Sequence, residues 1–170
     1  MWEQFIDAVP ADFQGTFQAM HPLTALVRLI FAAGLGAVIG IERELHARTA
    51  GLRTHILIAI AACLFTLISL EIVATDDLPG GVQQSTDPLR LIEAVTAGVA
   101  FLAAGSIITS GGKVAGLTTG AGMWMAGAIG LACGTGRMPL AIMATVLAVV
   151  VLWLLRGVSR RIEALSTRDE

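Results

Sequence analysis

Five long apolar runs constrain this chain more than any other feature of its sequence. They are separated by short polar segments and cover residues 23–41, 56–74, 89–108, 117–133 and 140–155. An α-helix needs roughly 20 apolar residues to cross the hydrocarbon core of a bilayer, and a helix satisfies its own backbone hydrogen bonds there. The runs therefore predict an all-α, polytopic membrane protein with five transmembrane helices.

The composition supports one membrane domain over residues 23–155. Charged residues make up 14% of the chain, whereas a typical soluble domain carries roughly 25%. The mean hydropathy is +0.78, and hydrophobic residues account for 55% of the sequence. The formal net charge of −2 provides no basic excess, so nucleic-acid binding is not expected.

Residues 1–22 precede the first apolar run and contain acidic residues but no Lys or Arg. A cleaved signal peptide begins with a positively charged region, so we expect this segment to stay in the protein. Its apolar residues recur at helical spacing, which predicts a segment lying in the membrane interface; a frayed terminus is the alternative. Residues 156–170 form a charged tail that we expect to be cytoplasmic.

The distribution of basic residues predicts the orientation of the spans. With the N-terminus outside, the inner segments contain eight basic residues: Arg43, Arg48, Arg53, Lys113, Arg156, Arg160, Arg161 and Arg168. The outer segments then contain two, Arg90 and Arg137. Because cytoplasmic loops are enriched in Lys and Arg, the sequence predicts an N-out, C-in topology.

Several charged residues fall near the outer ends of the predicted spans. Arg28, Glu71 and Glu93 are the members of this predicted outer-leaflet cluster, and Arg90 lies close to them in depth. A charge that faces lipid alone is costly. We therefore expect these side chains to pair, in particular Arg28 with Glu93, although independent snorkelling to the head groups is the alternative.

Glycines recur on one face of the fourth predicted span. Gly116, Gly120, Met123, Gly127, Gly130 and Gly134 are spaced by four, three, four, three and four residues. Gly36 and Gly40 form a similar pair in the first span. Small residues at this spacing allow a second helix backbone to approach closely, either within one bundle or at a dimer interface.

The cysteines and histidines predict neither a disulfide nor a metal centre. Helical rise places Cys63 and Cys133 at different depths in their spans, too far apart for a disulfide. We expect both to be buried free thiols. The three histidines lack the spacing of metal ligands, so no metal and no cofactor are expected.

The inner connection between the first two spans, residues 42–55, alternates acidic and basic residues. Glu42, Arg43, Arg53, Thr54 and His55 are its candidate binding residues. Acids and bases fixed at a helix end can form a polar cluster that binds an anion or a partner. A solvated loop is the alternative that the composition leaves open.

Several motifs in this order resemble those of the MgtC/SapB membrane proteins. The quoted matches are Gly36-x-x-x-Gly40-Ile41-Glu42-Arg43-Glu44, Ala50-Gly51-Leu52-Arg53-Thr54-His55, Asp87-Pro88-x-Arg90, Phe101-Leu102-x-Ala104-Gly105 and Gly116-Leu117-Thr118-Thr119, followed by Trp124 and Ala128-Ile129-Gly130. The resemblance extends over about residues 23–141. It adds Asp87, Arg90, Thr118 and Thr119 to the candidate partner-binding or ligand-binding residues.

The resemblance implies a five-helix domain in the bacterial inner membrane. It also implies a link to growth in low magnesium and, in pathogens, to survival inside host cells. Family members are often labelled magnesium transporters, but the resemblance favours a regulatory role that acts on membrane energetics and on the F-type ATP synthase.

Two departures from the family pattern are visible. Ala100 and Ala103 occupy positions where the family commonly has glycine in the third span, so we expect looser packing there. Longer members carry a soluble domain after the fifth span, and this chain resembles the short branch.

Two functions from different classes remain after these observations. The first is a regulatory protein that binds membrane lipids and another membrane protein, with a homodimer as a further alternative. The second is a magnesium or other ion transporter, although residues 56–70 and 94–108 contain no Asp or Glu that could serve a cation at the midplane. An enzyme is not expected, because no nucleophile motif accompanies Glu42, Arg53 and His55.

Overall fold

The computed structural model describes residues 17–46, 48–75, 88–110 and 113–166. Within them the chain forms five helices and one short hairpin: α1 (Pro22–Glu44), α2 (Leu52–Thr75), α3 (Pro88–Ser106), β1 (Ile108–Ser110), β2 (Lys113–Ala115), α4 (Leu117–Gly134) and α5 (Met138–Ser166). Most of the predicted interfacial segment, residues 1–16, and the last four residues of the tail, 167–170, lie outside this description.

Three described helices are long and apolar enough to cross a membrane: Pro22–Glu44, Leu52–Ala74 and Leu89–Ser106. The apolar part of α5 whose side chains are described, Met138–Leu154, is shorter. The helical fold and its membrane character are therefore confirmed, whereas the count of five spans and their orientation stay predictions.

Helix α4 lies at the centre of the bundle and packs against α1, α2, α3 and α5. One core cluster joins α1, α2, α4 and α5, and a second joins α2, α3 and α4. Because small residues are frequent on α4, its neighbours can approach from several sides. Ala126 and Ile129 of α4 are consequently both fully buried.

The α4 glycines are contacts between helices of the same bundle. A Cβ atom built on Gly127 would lie 2.9 Å from Val99 Cγ2 of α3, and one on Gly134 would lie 2.5 Å from Thr66 Cβ of α2. Gly130 faces the carbonyl group of Ala59, also on α2, at still closer range. Packing within one bundle therefore accounts for these three glycines.

The C-terminal end of α4 is closed by a glycine in the left-handed conformation. Gly136 has φ +77°, and its N–H donates to Cys133 O at 2.9 Å, while the Arg137 N–H donates to Ala132 O at 2.8 Å. These two bonds form a Schellman motif, which satisfies carbonyl groups that a helix end otherwise leaves open. The chain can then reverse into α5.

In the part of the chain that the structure describes, Arg28 and Glu93 do not form the predicted ion pair. Arg28 Nη1 of α1 instead donates to the Gly134 carbonyl oxygen at 2.6 Å. This places a positive charge at the negative end of the α4 dipole, where a half-buried guanidinium finds a partner without a carboxylate. Glu93 is exposed on α3, whose main contacts are with α4.

The short polar segment between the third and fourth apolar runs contains a β-hairpin. Helix α3 ends at Ser106, before the predicted end of the run at residue 108, and β1 then pairs antiparallel with β2, with Ile108 opposite Ala115. The β-branched residues Ile108, Thr109 and Val114 favour strands. Gly111 and Gly112, between the two strands in the sequence, lie outside the described residues.

Cys63 and Cys133 are buried and free, as predicted. The predicted difference in depth was wrong, because a Cβ on Gly134, next to Cys133, would lie 2.9 Å from Cys63 O. Gly122 of α4 already lies level with His55 of α2. Helix α4 therefore begins further towards the end of the bundle that contains the start of α2 than the apolar runs predicted.

Replacing Gly130 by Leu is expected to destabilise the bundle, because the new side chain would collide with the α2 backbone at Ala59. Overpacking a core costs about 1–3 kcal/mol or more, so the melting temperature in detergent should fall. Ala128→Leu, on the exposed side of the same helix, is the matched control and should change stability by less than about 0.5 kcal/mol. Equal losses for both variants would contradict the assignment of the contact.

Candidate functional site

Three polar side chains are buried where the end of α1 meets the beginning of α2. The exposed fractions are 9% for Glu42, 2% for Arg43 and 0% for His55. We call these three residues the buried polar cluster. Charged residues are rarely enclosed to this degree unless they are paired, so the cluster is the most unusual polar feature of the described chain.

Two glycines of α1 allow the crossing that encloses the cluster. A Cβ atom on Gly40 would lie 2.7 Å from Leu52 Cα, and one on Gly36 would lie 2.8 Å from His55 O. Both distances are too short for a side chain, so only glycine permits α2 to approach α1 this closely. The sequence feature behind the cluster is thus the Gly36 and Gly40 pair.

Glu42 and Arg43 form an ion pair within the cluster. Arg43 Nε donates a hydrogen bond to Glu42 Oε2, and the Nη2 atom contacts the same oxygen. His46 Nδ1 lies 3.4 Å from Glu42 Oε1, on the more accessible side of the pair. Removing one partner of a buried pair costs about 3–5 kcal/mol, because the other charge stays uncompensated.

His55 connects the cluster to the central helix. Its Nδ1 atom lies 2.8 Å from Gly51 O, and since a carbonyl oxygen only accepts, Nδ1 carries the proton in this contact. A Cβ on Gly122 of α4 would lie 3.0 Å from His55 Nε2 and 3.9 Å from Arg43 Cδ. Helices α1, α2 and α4 therefore meet at this point, with Gly122 providing the space.

Glu44 makes a contact at this junction that the sequence analysis did not predict. Its Oε2 atom accepts from the Leu52 N–H at 3.0 Å and lies against Gly51, so it satisfies one of the open amide groups at the start of α2. The sequence contains a signal for this contact, because Glu44 comes shortly before α2 and the first turn of α2 has no acidic residue. This contact holds the loop between α1 and α2 closed.

The other predicted binding residues do not gather at one place. Arg53 is exposed and Thr54 is half-buried at the start of α2, while Thr118 is exposed and Thr119 is buried at the start of α4. Arg90 is exposed near the start of α3. Asp87 lies outside the described residues.

Burial corrects one expectation about the inner connection. Glu42, Arg43 and His55 were predicted to be available to a partner, but the close crossing of α1 and α2 encloses them. In contrast, Arg48 and Arg53 are exposed beside the cluster. The cluster therefore fixes the helix junction, and the neighbouring arginines carry its accessible charge.

Among the residues described, no group of three or more His, Cys, Asp or Glu side chains is arranged to hold a metal ion. At the end of the bundle that contains Arg28, Glu71 is hydrogen-bonded within the protein. Glu71 Oε2 accepts from the backbone N–H groups of Gln18 and Ala19 at 2.8 and 2.9 Å.

The chain is similar in sequence to several known proteins. The chain is 37% identical over 145 residues to Protein MgtC of Salmonella typhimurium (strain LT2), which covers 85% of this chain and 58% of the relative. It is 36% identical over 131 residues to the Escherichia coli (strain K12) protein named "Putative magnesium transporter YhiD", covering 75% of this chain and 58% of that relative. A Synechocystis protein, slr0014, is 36% identical over 135 residues, covering 79% and 53%.

The chain thus spans little more than half the length of the curated relatives it matches. No solved structure matches it. The sequence profile of the MgtC family matches residues 29–161, which include all of α2, α3 and α4, together with the buried polar cluster. The chain belongs to the MgtC family.

Proposed function

We propose that this protein serves adaptation to low magnesium by binding a partner through the surface around Arg48 and Arg53, and that it transports no magnesium itself. The observation that carries the proposal is the buried polar cluster, in which Glu42 and Arg43 of α1 neutralise each other and are nearly enclosed at the junction with α2. The family membership and the magnesium-related name of one relative support the physiological setting. No catalytic step is part of the proposal.

The proposed arrangement in the membrane is five spans with the N-terminus outside, in a bacterial inner membrane. Three helices meet the length and apolarity of a span, and α4 packs along all the other described helices, which supports its lying in the same layer. The excess of basic residues in the segments 42–55 and 156–170 supports a cytoplasmic location for both.

A reporter fused after Glu170 should be active in the cytoplasm, and one inserted between residues 76 and 87 should be active outside. The physical reason is that the segments rich in Lys and Arg are retained on the cytoplasmic side. Alkaline phosphatase and fluorescent-protein fusions give opposite signals on the two sides. The reverse pattern of signals would overturn the proposed orientation.

The buried charges also argue against a cation path at this end. A divalent cation approaching Glu42 would meet the guanidinium of Arg43, which already neutralises that carboxylate. Mg²⁺ prefers carboxylates and retained water molecules, whereas this pair is nearly excluded from solvent. Repulsion between like charges is strong where the dielectric constant is low.

The accessible surface at this end has the features of a protein contact. Arg48 and Arg53 provide two cations, and Leu45 is 75% exposed next to them. Arginine binds carboxylate groups in a bidentate manner and is enriched at interfaces. A partner with acidic residues near the membrane surface fits this chemistry, and the F-type ATP synthase is the first to test because the family resemblance implies it.

In cells that depend on this protein for growth in low magnesium, Arg53→Ala is expected to abolish that growth. The melting temperature of the variant in detergent should stay within about 2–4 °C of that of the unaltered protein. The reason is that Arg53 is exposed and its loss leaves the core intact. Arg137→Ala removes an exposed arginine from the other end of the bundle and should grow normally. Growth curves of cells that depend on this protein provide the measurement.

Purified protein in liposomes that contain a magnesium-sensitive dye separates this role from transport. The proposal expects no flux above that of empty liposomes, for the unaltered protein and for Arg53→Ala alike. Protein-dependent magnesium flux that disappears in Arg53→Ala would favour the transporter, the function that the name of the Escherichia coli relative carries.

A further inference from the structure

An apolar cavity lies between α1 and α2 at the end of the bundle that contains Arg28. Its volume is about 500 Å³, within the ~300–1,000 Å³ range of small-molecule sites. Leu26 and Leu29 of α1 and Leu64 and Ile68 of α2 form its sides, and Phe17 and Met20 cover one end. The cavity therefore has the size and polarity of a site for an apolar chain.

The cavity opens sideways from the bundle. Leu26, Leu64 and Ile68 are 52%, 43% and 46% exposed, and all three lie in helices that are long and apolar enough to cross a membrane. In a bilayer the molecules next to these side chains are lipid acyl chains, because the hydrocarbon core contains no water to fill an apolar recess. An acyl chain of a lipid fits such a recess.

Among the described residues of the cavity wall, Glu71 is the charged one. Its Oε2 atom holds residues 18 and 19 through two backbone N–H groups, and this contact keeps Phe17 and Met20 over the cavity. Glu71 also lies in the last turns of α2 (Leu52–Thr75), where the helix dipole adds negative potential. The carboxylate and the helix end therefore place negative charge on this part of the cavity wall.

We propose that the cavity binds one membrane lipid that carries a primary ammonium head group. One acyl chain occupies the space between Leu29 and Leu64, and the ammonium group donates to the Glu71 carboxylate. A primary ammonium combines a positive charge with three N–H donors, as in lysine. A choline head group has the charge without the donors, and a phosphoglycerol head group brings net negative charge towards Glu71. This site is independent of the partner surface around Arg53.

The test is the retention of lipid by the full chain after extraction from vesicles. The vesicles contain phosphatidylethanolamine, phosphatidylcholine and phosphatidylglycerol in equal amounts with identical acyl chains, and native mass spectrometry counts the lipid that remains bound. The expected order of retention is phosphatidylethanolamine, then phosphatidylcholine, then phosphatidylglycerol, with one lipid bound tightly per chain.

Glu71→Gln retains an oxygen that accepts from residues 18 and 19 but removes the charge. It should reduce the preference for phosphatidylethanolamine over phosphatidylglycerol by about tenfold, the effect of losing one charge-assisted hydrogen bond. Glu93→Gln removes an exposed carboxylate on α3, outside the cavity, and should leave the preference unchanged. These two variants carry the same chemical change.

Leu64→Trp fills the cavity from its exposed edge and should reduce retention of all three lipids, whereas Leu57→Trp, exposed elsewhere on the same helix, should not. Equal retention of the three lipids by the unaltered protein would overturn the proposal. An undiminished preference in Glu71→Gln, or unchanged retention in Leu64→Trp, would do the same.

Discussion

Helices α1 and α2 cross so closely that the polar residues at their junction are enclosed. Gly36 and Gly40 present no side chain to α2, so the backbone of Leu52 and His55 reaches the surface of α1. This approach encloses Arg43, which would otherwise remain at the membrane surface. Once Arg43 is enclosed, a carboxylate must accompany it, because an unpaired charge in a low-dielectric environment is too costly. The glycine pair therefore allows Arg43 to be enclosed, and the ion pair with Glu42 neutralises its charge there.

Adjacent residues of the same motif consequently perform different tasks. Glu42 neutralises Arg43 inside the junction, and Glu44 accepts from the first amide of α2. Arg53, only a few positions further along the chain, faces outward. The enclosed residues of the motif thus stabilise the helix junction, and Arg53 adds a charge to its accessible surface.

The sequence predicted the helices and the glycine contacts because apolar length and small-residue spacing are local properties of a chain. It did not predict that Arg28 would donate to Gly134 O. Every residue has a backbone carbonyl, so the sequence does not indicate which one accepts a hydrogen bond, and a carboxylate at similar depth was the expected partner. It predicted the cluster around Glu42 but not its burial, because burial depends on how α2 crosses α1. The β1–β2 hairpin was missed for a different reason. Each strand has three residues, too few for the alternation over about four to eight residues that identifies a strand in a sequence.

Glu42 and Arg43 act as a buried ion pair that stabilises the junction of α1 and α2. A double-mutant cycle of Glu42→Gln and Arg43→Gln, with the free energy of unfolding in detergent as the readout, measures the coupling between the two side chains. Each single change is expected to lower stability by about 3–5 kcal/mol, and the double change by clearly less than the sum. Strictly additive losses would show that the two residues do not act as a pair. The structural role would also be wrong if Glu42→Gln left stability unchanged and abolished a stabilisation of the unaltered protein by added Mg²⁺.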